Sequence, residues 1–307
     1  MRKRALLIIT LLCAVAQGVW AWSGSGTASD PYVIVTVSDW ATFAANVNAG
    51  TGADKCYKLS DSWNNVGNAV TATVGAEGFP FKGTFDGNGK TLYVNISETT
   101  TNGTAPFRDV RGATIENLTV EGSVTGRTHA AGLVGIVRAG GITTVSNCWV
   151  RTIVNCSTDG DNHIGGVVGH ATTATLTIEN TVFSGHLNSI DDYSGGLVGW
   201  GGNYTLTIEN SFFTGTHEGN SLFHPIALHG NNDTPTFIEK GAYYLSGIVP
   251  ELPVNHSNIT AAGSVAYTSQ PDDGETYITL KEADSNDYYV GAFTFIRRSW
   301  DSESKTV

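Results

Sequence analysis

The sequence predicts an all-β fold, a parallel β-helix that stacks one repeat per coil behind a short N-terminal helical cap. Three observations carry that prediction. Thr-Ile-Glu-Asn at 114–117 returns at 177–180 and 207–210, with a degenerate copy, Thr-Val-Ser-Asn, at 144–147. After the first, second and third of these four comes Gly-Leu-Val-Gly or its near copy, at 132–135, 166–169 and 196–199. Spacings of 30–34 residues are those of a solenoid built from one supersecondary unit. The third observation is composition. Only 15% of residues are charged, while 37 glycines and many Thr, Asn and Ser residues supply turns, as in extracellular all-β proteins.

Taken in order, the chain opens on a secretory leader. Arg2-Lys3-Arg4 precedes an apolar run from Ala5 to Ala16, and Val19-Trp20-Ala21 offers small residues at the cleavage positions. The run is too short for a membrane span, so residues 1–21 read as a signal peptide and the mature chain starts at Trp22. Cys13 follows Leu12, not the small residue that a lipoprotein signal wants. No later stretch is apolar enough to cross a bilayer. Residues 22–60 read as the cap. Tyr32–Val37 looks like a strand, and Ser38 or Asp39 is placed to cap a helix. That helix puts Trp40, Phe43, Ala44 and Val47 on one face before Asn48-Ala49-Gly50 ends it. A solenoid exposes its core at each end, so a lid of this kind is expected.

Residues 61–250 read as about five coils of the helix itself. Asp86 to Gly89 has turn chemistry, and Leu92, Val94 and Ile96 alternate as a half-buried strand. Aligned on Asn117, Asn147, Asn180 and Asn210, the repeats form columns. Ile115, Val145, Ile178 and Ile208 fill one, and Val120, Val150, Phe183 and Phe213 fill another. Gly122, Gly185 and Gly215 read as unit ends. In such a stack each side chain lies about 4.8 Å from its equivalent, so the four asparagines can pass amide hydrogen bonds along the coils. Glu116, Glu179 and Glu209 also align and must face solvent to avoid repulsion. Past 251 the repeat fades. Tyr277–Leu280 and Tyr288–Ile296 are strand-like, as a C-terminal cap or as the start of a second, incomplete domain.

Charge and cysteines bound the function. Residues 1–21 hold three of the 17 basic residues, so 14 remain against 28 acidic ones, a formal charge of −14. An acidic chain without a basic stripe is a poor partner for nucleic acid or anionic lipid. Beyond the leader stand Cys56, Cys148 and Cys156. An odd number cannot pair fully; Cys148 and Cys156 could bridge, but Cys148 aligns with Leu118 and reads better as a small inward hydrophobe.

The Gly-Leu-Val-Gly and Thr-Ile-Glu-Asn repeats, the Phe-Asp-Gly-Asn-Gly-Lys-Thr stretch at 85–91 and the Gly-Ser-Gly-Thr-Ala-Ser-Asp-Pro-Tyr opening at 24–32 together resemble the GLUG-repeat proteins. Those are secreted or surface proteins common in Bacteroidetes-type gut bacteria. The resemblance covers roughly 24–250. It implies a right-handed parallel β-helix at a cell surface, with adhesion or presentation of a partner domain as its role, and no catalytic residues. The repeat also accompanies some surface peptidases, but no HExxH motif occurs here. Phe107-Arg108-Asp109-Val110 and Leu222-Phe223-His224-Pro225 depart from the repeat pattern.

Two groups of residues are candidates for binding. His129, His163 and Tyr193 occupy one column, and His170 and Trp200 another, forming a stripe of flat rings suited to stacking on a sugar or anchoring a protein. The plainer reading is ring-on-ring packing between coils. Two histidines one coil apart could also hold a metal, but no third ligand aligns with them. Asp161 and Asp191 precede successive Gly-Gly strands, with Asp159 and Asp192 beside them. They read first as turn residues, and otherwise as weak calcium ligands or a carboxylate pair for glycosidic acid–base chemistry. No cofactor is implied. The expectation is a secreted surface module that binds a glycan or protein through His129, His163, Tyr193, Trp200, Asp161 and Asp191. The alternatives are a glycan lyase or hydrolase using the acidic loops, and a stalk that presents another domain.

Overall fold

The computed structural model describes residues 22–157, 163–189, 193–219, 222–228, 235–245, 266–267, 276–281 and 287–293. They form a parallel β-solenoid of about six turns, one more than the repeats suggest. The stack begins in the N-terminal segment. Its strand Cys56–Leu59 pairs in parallel with both Tyr32–Ile34 and Thr84–Glu98, and so starts the stack before any recognisable repeat.

Three parallel sheets line the coil. The main one stacks Thr84–Glu98, Thr114–Gly126, Ile142–Cys156, Thr175–Glu179, Thr205–Phe213 and Thr236–Leu245. The second stacks Phe107–Val110, Val134–Val137, Val168–Ala171 and Val198–Gly201, and the third Ala130–Ala131, His163–Gly165, Tyr193–Gly195 and Leu222–His224. The register places Ile115 on Val145, Val145 on Ile178 and Ile178 on Ile208, all buried. Both segments that depart from the repeat still form rungs: Phe107 pairs with Val134, and Leu222 with Tyr193. The main sheet continues past Thr236–Leu245 through Ala266–Tyr267 to Thr276–Lys281 and Asp287–Phe293, the last two pairings being antiparallel.

The helix spans Val37–Asn48 and buries Trp40, Phe43, Ala44 and Val47. Its N-cap is Thr36, not Ser38 or Asp39. Thr36 Oγ1 accepts from the Asp39 N–H at 3.2 Å, and the Asp39 carboxylate accepts from the Thr36 N–H at 2.8 Å, a reciprocal capping box. Val37 therefore belongs to the helix and the strand ends at Ile34. Trp40 and Phe43 close the open end of the core against Phe85 and Phe107, with Trp40 at 5.5 and 5.7 Å from their ring centres.

The asparagine column exists, and its cause is largely backbone. Asn117, Asn147, Asn180 and Asn210 all have φ between 45° and 56°, the left-handed region that asparagine tolerates better than other side chains. The amide relay runs in pieces. Asn117 donates to Asp86 at 3.0 Å, Asn147 to Asn117 at 3.2 Å and Asn210 to Asn180 at 3.4 Å. Asn147 Oδ1 accepts no hydrogen bond among the described residues, so the relay breaks there. Just after each Asn lies an inward column of Leu118, Cys148, Thr181 and Ser211. Its polar members bond to backbone, Thr181 Oγ1 to the Glu179 carbonyl and Ser211 Oγ to the Glu209 carbonyl, each at 2.8 Å. Cys56, Cys148 and Cys156 form no disulfide among the described residues, and burial pushes Cys148 up to about 12.

Two other expectations shift in detail. Asp86–Gly89 does not reverse the chain; the positive φ of Asn88 and Gly89 makes a bulge inside Thr84–Glu98, where the register slips. Gly122 lies inside Thr114–Gly126, where a Cβ would sit 2.0 Å from the Val94 carbonyl oxygen, so it bends a strand and does not end a unit. Ser146 stands between Glu116 and Glu179 in the register, whereas Glu179 and Glu209 are direct neighbours, and all three glutamates are half-buried.

Candidate functional site

The ring stripe is a product of where the second and third sheets meet. Each Gly-Leu-Val-Gly segment crosses from the third sheet to the second in two residues, an inward Leu or Val preceded by a glycine that has no room for a side chain. A Cβ on Gly166 in the crossing would lie 2.1 Å from the Gly196 carbonyl oxygen, and just beyond it one on Gly169 would lie 2.2 Å from that of His129 and one on Gly199 2.4 Å from that of Ile164. The residues flanking this crossing are thereby brought to one edge. Tyr193 pairs with His163 in the third sheet, and Trp200 with His170 in the second.

The rings interleave across the edge in a continuous zigzag. His170 stacks on His129 at 4.1 Å, His129 on His163 at 5.2 Å and His163 on Trp200 at 4.6 Å, with interplanar angles of 20°, 22° and 8°. Tyr193 closes the series against Trp200 at 4.3 Å. Four of the rings are half-buried and His163 is buried. All five rings of the predicted stripe, His170 included, are thus in one contiguous array. Burial, helped by the neighbouring imidazoles and Arg138, pulls His129 down to about 2 and His170 to about 4. Both are neutral at physiological pH, so neither of these two rings brings a charge to the edge. Stacked imidazoles turn faces to each other, and no group of three or more His, Cys, Asp or Glu among the described residues could hold a metal.

Beside the array lies a cleft of about 400 Å³ that sequence reasoning missed. His129 and His170 form its wall on the ring side, and Arg108, Arg127 and Arg138 line the rest together with Asp109 and Glu77. Asp109 has a side chain only 3% exposed and receives Arg138 as a fork, Nε at 3.0–3.1 Å and Nη2 at 2.6 Å. Burial raises the Asp109 carboxyl above its ordinary value against the opposing pull of Arg138, and the hydrogen bonds that Arg138 donates to Asp109 raise the guanidinium in turn. Arg108 is half-buried, with Nε donating to the Asn102 carbonyl at 3.3 Å, and Arg127 is exposed. The signal was present in the sequence as opposite charges one coil apart. Asp109 and Arg138 are 29 residues apart, and Glu121 and Arg151, another bridged pair at 3.2 Å, are 30 apart.

The acidic loop positions Asp159, Asp161, Asp191 and Asp192 lie outside the described residues, as does the leader at 1–21. Among the described residues no helix is long and apolar enough to cross a membrane.

Comparison with known proteins adds a limited amount. No family model matches the chain. It is 37% identical over 167 residues to halomucin of Haloquadratum walsbyi, an alignment that covers 49% of this chain and spans about 2% of the length of halomucin. A crystal structure of a Bacteroides ovatus protein provisionally assigned as an immunoglobulin A1 protease superposes with a TM-score of 0.48 and 18% identity, covering 78% of this chain and 81% of the other.

Proposed function

We propose that this chain is an exported β-helix module that acts at a cell surface or outside the cell, binding a glycan or protein partner through the edge formed by His129, His163, His170, Tyr193 and Trp200. The carrying observation is the continuity of that ring array. Five flat rings packed in series along one edge form a ridge whose outer ring edges a pyranose ring or an aromatic side chain can pack against. Export is supported by the leader-like residues 1–21 and by a glycine- and threonine-rich composition with few charges. The GLUG-like motifs support a surface setting. The similarity to a short stretch of halomucin supports a modular role, since a comparable unit sits within a far longer chain.

The acidic positions Asp159, Asp161, Asp191 and Asp192 extend this reading as candidate calcium-dependent contacts. The test is a glycan array probed with the full chain, with and without calcium. Binding to a defined set of glycans supports the reading, and loss of that binding on chelation adds the acidic loops to the site. No glycan binding in either condition, together with no protein partner captured on the intact edge but lost on Tyr193→Ala/Trp200→Ala, would refute it.

A further inference from the structure

The cleft next to the ring array has a chemistry the array lacks. In a chain of formal charge −11, three arginines converge on one opening. Asp109 and Glu77 oppose them, leaving one net positive charge with His129 and His170 neutral. The arrangement is built, not incidental. Asp109 is buried and uses both oxygens on one side of Arg138, so that guanidinium is held in a fixed plane with Nη1 uncommitted to Asp109. Arg108 is tethered by the Asn102 carbonyl. A planar or tetrahedral anion entering between them meets preset donors and pays little ordering cost. His129 and His170 belong to both the cleft wall and the ring array, so an anion seated on the arginines is attached to a body lying on the rings.

We infer that this cleft is an anion subsite of the ring-bearing edge and that the ligand class is an acidic glycan, whose carboxylate or sulfate ester meets Arg108, Arg127 and Arg138 while a neighbouring sugar ring packs against the cleft wall formed by His129 and His170. The inference rests on the proposed binding function and specifies its ligand. A glycan suits the pair of features better than an acidic peptide, because charge and flat ring face recur at a fixed short spacing along an acidic polysaccharide.

The test is calorimetric binding of the full chain to three paired polymers: galacturonan and its carboxyl-reduced form, glucuronoxylan and xylan, sulfated galactan and galactan. At least one acidic member should bind tenfold or more tightly than its neutral partner, and the preference should shrink in high salt. The first two pairs report on carboxylate and the third on sulfate, so the pattern identifies the anion. Arg108→Gln and Arg127→Gln should each weaken the acidic ligand by about tenfold. Glu77→Gln, an exposed change that removes an opposing charge, should tighten it severalfold and leave any neutral ligand unaffected. Neutral polymers binding as well as acidic ones, with Tyr193→Ala/Trp200→Ala abolishing both, would overturn the anion subsite and leave the binding edge standing. None of the acidic polymers binding, or full affinity retained in Arg108→Gln/Arg127→Gln, would also overturn it.

Discussion

Replacing Arg138 by Met should destabilise the protein in a pH-dependent way, and the size follows from the geometry. Met keeps much of the aliphatic stem but leaves Asp109 without its fork of hydrogen bonds, in a site where its side chain is 3% exposed. Breaking a buried pair by removing one partner costs about 3–5 kcal/mol. The Arg138 side chain is 37% exposed, so water can partly replace it, and a loss of about 2–3 kcal/mol is expected. At about 2–4 °C per kcal/mol for a domain of this size, the melting temperature should fall by about 4–12 °C. The sign of the pH dependence is fixed. The folded-state pKa of Asp109 is already raised by burial and rises further without Arg138. Stability from a raised carboxyl is present below its unfolded value and is lost as pH rises through the folded one. The deficit relative to wild type should therefore be small near pH 4 and full at pH 7. Asp109→Leu/Arg138→Met removes both charges and should recover most of it. The assay is thermal unfolding by circular dichroism across that range. A loss below about 0.5 kcal/mol at pH 7, or a deficit that grows on acidification, would refute the reasoning, because neither is compatible with a stranded buried carboxylate.

Three further outcomes are expected. Gly166→Ala should destabilise by more than about 3 kcal/mol in denaturant unfolding, since its Cβ would lie 2.1 Å from the Gly196 carbonyl oxygen and 2.5 Å from the Phe183 ring; a near-neutral result would contradict the packing at the crossing. Asn180→Ala should cost about 1–2 kcal/mol while Asn180→Gly costs less, because φ is 46° there and the amide link to Asn210 is a long 3.4 Å; equal losses would mean the amide dominates. His129 and His170 should show no midpoint above pH 5 in imidazole NMR titrations, given values near 2 and 4. Being neutral in the fold and protonated when unfolded, they hold stability above about pH 6.5 and lose it as pH falls toward 4; a midpoint near 6.5 would place the rings in solvent.

The stack was legible because a solenoid repeats its environment every coil. Once Asn117, Asn147, Asn180 and Asn210 are aligned, Ile115 and Val120 and their equivalents fall into register, and the lid follows from the spacing of Trp40, Phe43, Ala44 and Val47. The ring array was legible for the same reason, since His129, His163 and Tyr193 share a column. The conformations at single positions were not. Nothing in Asp86–Gly89 distinguishes a bulge from a reversal, because both need residues that tolerate positive φ. The arginine cleft was hidden because Arg108 and Asp109 fall in a segment that departs from the repeat, and a search for recurring residues discounts such segments. Function tends to sit where a repeat is broken.

The most direct test of the binding edge compares wild type with Tyr193→Ala/Trp200→Ala against the best ligand from the glycan array, by calorimetry, after circular dichroism has shown both proteins folded. Both rings are half-buried at the end of the array. Removing them should weaken binding by at least about 30-fold, roughly 2 kcal/mol for two aromatic contacts. Unchanged affinity in the folded double variant would show that the rings only pack the coils together and that the ligand binds elsewhere.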